Sequence, residues 1–183
     1  TDGSTWYSTG GGFDYAWSPD GKWFTLEFTG NKHDPYSDIG LVSAEGGKDI
    51  INLTNSGYMS GYPHFALDGN AILFTTERYG MRAHASWGSL NDAMLVFLNQ
   101  DAYDKYCLSK EDYELRKELE KEQKKSAGKD TPQGKNKDKK KKYDKKDSNA
   151  DEKDDQPKDI VVELKGIEDR VVRLTPNSSD MGS

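Results

Sequence analysis

Short apolar runs separated by glycine-bearing turns make up most of residues 13–98, and the pattern returns over 159–175. Two stretches share one plan. Trp17-Ser18-Pro19-Asp20-Gly21-Lys22-Trp23-Phe24-Thr25-Leu26 and Phe65-Ala66-Leu67-Asp68-Gly69-Asn70-Ala71-Ile72-Leu73-Phe74 each set a short aromatic segment before Asp-Gly and an apolar run directly after it. Asp-Gly accepts the positive φ values of a tight turn, so each stretch predicts a β-hairpin. Residues 15–17 are expected to pair with 23–28, and 62–67 with 71–76. Asp20, Gly21, Asp68 and Gly69 are the turn residues.

A second pattern recurs. Residues 39–54 read IGLVSAEGGKDIINLT, and residues 160–175 read IVVELKGIEDRVVRLT. Both run strand, glycine turn, strand, Leu-Thr, without a gap between them. Joining the two patterns gives a unit of four short antiparallel strands, the plan of a β-propeller blade. The expected fold is all-β, with two four-stranded antiparallel blades of an incomplete propeller. The first blade takes residues 1–55. The second begins over 56–99, is interrupted over 100–158, and finishes over 159–183. It has one strand too many, because either 92–98 or 159–165 can serve as its third strand. Two blades leave inter-blade faces open, so the chain is expected to be a fragment or to be covered by other copies or domains.

The interruption is a different material. Residues 109–158 carry 17 Lys or Arg and 14 Asp or Glu, and only six apolar side chains. Ser109 with Asp112 resembles a capping-box helix start, and Asp112 with Arg116 and Glu120 with Lys124 are favourable i,i+4 pairs. A helix over about 110–125 follows. Its stripe of Tyr113, Leu115 and Leu119 is too thin to anchor it in a core. Beyond it, Gly128, Pro132, Gly134 and the run Lys139 to Lys142 predict disorder. The lysines suit an anionic surface, but Asp138, Asp144, Asp147 and the acids of 151–155 dilute their field, so the plainer expectation is a solvated loop.

Composition then removes several classes. The 183-residue chain holds 26 Lys or Arg against 32 Asp or Glu, a net charge of −6, which argues against nucleic acid as a partner. No apolar run is long enough to span a membrane. The single cysteine, Cys107, excludes an internal disulfide framework and a multi-cysteine zinc site.

Trp17 to Lys22 and residues 49–54 resemble the repeat of TolB-type and tricorn-type propellers, in which Ser-Pro-Asp-Gly-Lys opens a blade and Leu-Thr closes it. In the second unit only Asp68-Gly69 of that turn survives. Glu77-Arg78-Tyr79-Gly80-Met81-Arg82, Ser86-Trp87-Gly88-Ser89 and the insert ahead of Ile167 to Leu174 are similar to the tricorn-like serine peptidases of bacteria. The resemblance implies a larger hydrolase whose propellers screen and guide peptides toward a serine nucleophile in a separate core, often with a PDZ-like domain. It implies proteolysis as the process and the periplasm or another exported location, with the cytoplasm as alternative. The alternative function is a TolB-like propeller that docks a protein partner. Peptide or unfolded-protein substrates and the neighbouring blades would be the partners, or further copies of the chain.

No catalytic residue carries over. Gly57-Tyr58-Met59-Ser60-Gly61 sets its serine one place late for a nucleophile elbow. His33, Asp34 and Asp38 are the nearest approach to a metal cluster, but they read as turn residues, so no metal or other cofactor is expected. Cys107, beside Tyr103 and Tyr106, reads as an inert thiol. The loop with Arg78, Tyr79, Arg82, His84 and Trp87 is the candidate peptide site. Its arginines suit a carboxylate or acidic side chain, and its aromatics give rigid contact area. The plainer reading packs Tyr79 and Trp87 between blades. Trp6, Trp17, Trp23, Phe24 and Phe28 read as blade packing, with a carbohydrate platform as runner-up.

Overall fold

A computed structural model describes residues 15–30, 36–47, 49–82, 89–127 and 159–181. They form two four-stranded antiparallel sheets and two α-helices. Sheet one runs β1 (Tyr15–Trp17), β2 (Trp23–Phe28), β3 (Asp38–Ser43) and β4 (Ile51–Asn52), each strand bonded to the next in sequence. Sheet two repeats the meander with β5 (Ser60–Ala66), β6 (Ala71–Thr76), β7 (Asp92–Phe97) and β8 (Val171–Arg173). Neither sheet closes on itself.

Both predicted hairpins form, through different turns. In the first, Tyr15 faces Leu26 and Trp17 faces Phe24. Its loop is a turn in which Gly21 N–H donates to Ser18 carbonyl at 3.0 Å, and Gly21 takes a φ of +68°. Ser18 Oγ donates to Asp20 and accepts from Trp23 N–H, so two side chains lock the loop. The second hairpin turns through Leu67, Asp68 and Gly69, at φ of 53°, 54° and 84°. Asp68-Gly69 supplies the left-handed pair that a tight hairpin requires. Leu67 has no such freedom, and its conformation costs about 1–2 kcal/mol.

The alternation of side chains along each strand decides what is buried. Thr25 on β2 with Ile39 and Leu41 on β3 faces the same way as Trp23. Ile72 and Phe74 on β6 register with Val96 and Met94 on β7. Ile39, Leu41, Leu53, Ile72, Phe74, Met94, Val96 and Leu98 form one buried cluster, with Trp23 and Phe65 packed against it. The two sheets therefore share a core at their facing surfaces. Ser37 and Ser60 join them as well, Ser60 N–H donating to Ser37 carbonyl and Ser37 Oγ to Ser60 carbonyl.

β7 is the third strand of sheet two. Residues 160–165 form no ladder strand; they run along the seam. Ile160 N–H donates to Asp20 at 2.8 Å, Glu163 N–H donates to Leu98 carbonyl, and Ile160 and Val162 touch the shared core. Buried Arg170 fixes the end of this segment, donating to the carbonyls of Phe97, Lys165 and Glu163. The match between 39–54 and 160–175 thus holds in its closing Leu-Thr and not in its first half.

The insert opens with α1 (Gln100–Cys107), a helix outside the sequence-based expectation. Asn99 caps it, accepting from Ala102 N–H at 2.9 Å. Ala102 and Tyr103 pack on Ala71, Leu95 and Phe97, the second face of sheet two. The expected charged helix is α2 (Lys110–Ala127), with Ser109 Oγ accepting from Asp112 N–H and donating to the Asp112 carboxylate. The chain divides into two units, the sheets in one and α2 in the other, residues 107–156. The expected disorder around the lysine run lies outside the described residues. Trp23 packs against the shared core, whereas Phe24 and Phe28 pack with Leu26 and Val42 on the other face of sheet one, and Trp17 is 55% exposed, 5.5 Å from Phe24 between ring centres. Trp6 lies outside the described residues.

Candidate functional site

Each sheet carries the same buried clasp at the start of its third strand. In sheet one, Asp38 is buried; its Oδ1 accepts from Thr54 Oγ1 at 2.7 Å and from Ser56 N–H at 2.9 Å, and its Oδ2 accepts from Asn52 Nδ2 at 2.9 Å. In sheet two, Asp92 is fully buried and accepts from Thr175 Oγ1 at 2.7 Å, Ser178 Oγ at 2.8 Å, and both Nε and Nη2 of Arg173. The threonine is that of the closing Leu-Thr in both cases, which gives the repeated pair a physical role: it ties the fourth strand to the third. Burial pushes the Asp92 carboxyl up, but the bonds from Thr175, Ser178 and Arg173 outweigh it and hold the group below the ordinary carboxylate range.

A pocket of about 280 Å³ opens at this end of the seam. Leu53, Thr54 and Ser56 line it from beside the first clasp, and Phe74, Thr76 and Met94 line it from sheet two. Period-2 alternation runs Phe74, Thr76, Arg78 along β6 and its extension, so Arg78 comes to the same pocket. Tyr79 and Glu168 complete the rim, with Ser60 and Val171. The floor is apolar and the walls carry hydroxyls.

The charges at the rim are arranged unequally. Two guanidinium groups stand near the Tyr79 ring, Arg78 at 5.5 Å and Arg173 at 5.0 Å from its centre. Arg173 is committed to Asp92. Arg78 has no carboxylate partner among the described residues, nor does Glu168 have a cationic one. Both side chains are exposed.

Of the predicted peptide-site residues, Arg78 and Tyr79 are thus brought together at a pocket. Arg82 is exposed and lies further out, bridged to Ser89, and is not part of the lining. His84 and Trp87 lie outside the described residues, as do His33 and Asp34. Ser60 is buried, donating from Oγ to Thr76 Oγ1 at 3.3 Å, with no histidine beside it among its bonded partners. Cys107 is an exposed free thiol. The turn residue Asp20 has a second role: it caps Ile160 N–H, and with bonds from Ser18 and Lys22 its carboxyl is held low despite the opposing effect of burial. Glu168 and the hydroxyls of Thr54, Ser56 and Thr76 escaped the sequence reading, because they come from strand ends and a turn that only the packing of the sheets gathers. Among the described residues no three metal-ligating side chains cluster, and no helix is long and apolar enough to cross a membrane. No protein family, curated protein or solved structure gives a match to this chain.

Proposed function

We propose that this chain is a two-blade segment of the β-propeller of a tricorn-like serine peptidase, and that it receives peptides for a catalytic core elsewhere without doing chemistry itself. The observation that carries this reading is the seam. Two meanders of the same strand order, each fastened by an Asp–Thr clasp, share one apolar core and present a pocket whose Arg78 has no carboxylate partner among the described residues. A propeller repeats four-stranded antiparallel blades around a central channel, and two adjoining meanders with a shared core suit that plan. Arg78 would take a peptide carboxylate or acidic side chain in bidentate fashion, and Tyr79 would hold that guanidinium in place by its ring face. Arg82, on the exposed loop beyond, would extend the same attraction.

Fluorescence anisotropy tests the peptide role. Peptides labelled at the amino terminus are titrated with the chain, once with a free carboxyl terminus and once amidated. The free acid is expected to bind about tenfold more tightly, the worth of one charge-assisted contact. Arg78→Ala is expected to abolish that difference. Equal binding of the two peptide forms, or a difference that survives Arg78→Ala, overturns the reading.

A further inference from the structure

Arg78 is one of two charges on the pocket rim with no oppositely charged partner among the described residues. Glu168 is the other, and it reaches the same pocket from a different segment, the 3-10 turn Ile167–Arg170 ahead of β8. That turn is held firmly: its Ile167 is buried in the shared core, and Arg170 is bonded to three carbonyls. The buried apolar part of the lining is Phe74, Met94 and Leu53. The volume of about 280 Å³ falls just below the ~300–1,000 Å³ of pockets that enclose drug-sized ligands. One small molecule fills this space.

We infer that the pocket is a site for a free amino acid with an apolar side chain, its carboxylate on Arg78, its α-ammonium on Glu168 and its side chain on the floor of Phe74, Met94 and Leu53. A zwitterion answers a rim with one cation and one anion over an apolar floor. A peptide carboxyl terminus answers only half of it, because its own α-nitrogen is an uncharged amide. The hydroxyls of Thr54 and Thr76 supply further polar partners at the wall. Because the pocket is walled by both sheets, an occupant would stabilise their contact by binding the folded form alone. The site shares Arg78 with the peptide role proposed above and differs from it in the ammonium group and in Glu168, which is what the test separates.

Isothermal titration calorimetry of the full chain with L-leucine and L-phenylalanine tests this, beside N-acetyl-leucine, which lacks the ammonium, and leucinamide, which lacks the carboxylate. Leucine is expected to saturate one site with a dissociation constant in roughly the micromolar-to-millimolar range. Each derivative is expected to bind about tenfold or more weakly. In Glu168→Gln the advantage of leucine over N-acetyl-leucine should vanish, while its advantage over leucinamide persists; Arg78→Gln should give the reverse. Both side chains are exposed, so neither variant threatens the fold. No saturable heat with any amino acid up to about 10 mM overturns the inference. So does equal binding of leucine and N-acetyl-leucine, which would leave the peptide role standing. Amino-acid binding without any preference for peptide carboxylates would sustain this site and sink that role.

Discussion

Asp92→Ala removes the carboxylate that fastens β8 to the rest of sheet two. β8 is only three residues long, Val171–Arg173, and it follows an insert of about sixty residues, so its place depends on what holds it. Asp92 is 0% exposed and accepts four hydrogen bonds, two from Arg173 and one each from Thr175 and Ser178. Arg173, left behind, is about a third exposed and can be hydrated, so the cost is that of the lost hydrogen bonds to a charged group, about 1.5–3 kcal/mol. That is a large share of the ~5–15 kcal/mol by which a domain is stable. Urea unfolding followed by tryptophan fluorescence reads the loss, with Trp23 in the shared core as reporter. The midpoint should fall while the slope stays fixed. The same group sets an acid limb. Its folded pKa lies below the ordinary value of 3.8, so its contribution is present at neutral pH, begins to fall as the pH drops through that value, and is lost below the folded pKa. Asp92→Ala should flatten the wild-type loss of stability across that window. A cost under about 1 kcal/mol, or an unchanged acid limb, would refute the clasp as the fastener of β8.

Asp38→Asn should destabilise by about 1–3 kcal/mol in thermal unfolding, because either orientation of the new amide sets N–H against N–H, from Asn52 on one side or Ser56 on the other. Asn52 cannot turn to relieve it, since its Oδ1 already accepts from Thr54 and Asn55. Gly80→Ala would drive a Cβ into the Leu90 carbonyl, so Gly80 or Leu90 must shift; a loss of roughly 1–3 kcal/mol is expected, together with weaker protection of the Leu90 amide in hydrogen exchange. Ser109→Ala should cost α2 about 1 kcal/mol of helix stability, seen in far-UV circular dichroism, while the unfolding transition of the sheets stays in place.

The hairpins were legible because their signals are local. Asp68-Gly69 and Gly21 announce positive φ, and the apolar runs beside them fix the strands. The charged helix was legible for the same reason, through Ser109 and Asp112. The third strand of the second sheet was not, because its partner β8 returns only after the insert, and a local pattern cannot weigh a pairing across some eighty residues. The gapless match between 39–54 and 160–175 left 159–165 as an equal candidate beside 92–98. Asp38 and Asp92 would have decided between them: each stands at the head of its third strand and meets the threonine of the closing Leu-Thr. Helix α1 was missed although Asn99 is a cap residue and Ala102, Tyr103 and Tyr106 lie on one helical side. At the pocket, Arg78 was visible as a residue type, whereas Glu168 was hidden in a stretch that reads as solvated turn.

The family and the role rest on one question, whether these two sheets belong to a larger serine peptidase. An antibody raised against the chain, used on extracts of the source cells together with a serine-reactive fluorophosphonate, answers it most directly. The account predicts a polypeptide several times 20.5 kDa that carries both signals. A band near 20.5 kDa that takes no label would contradict it.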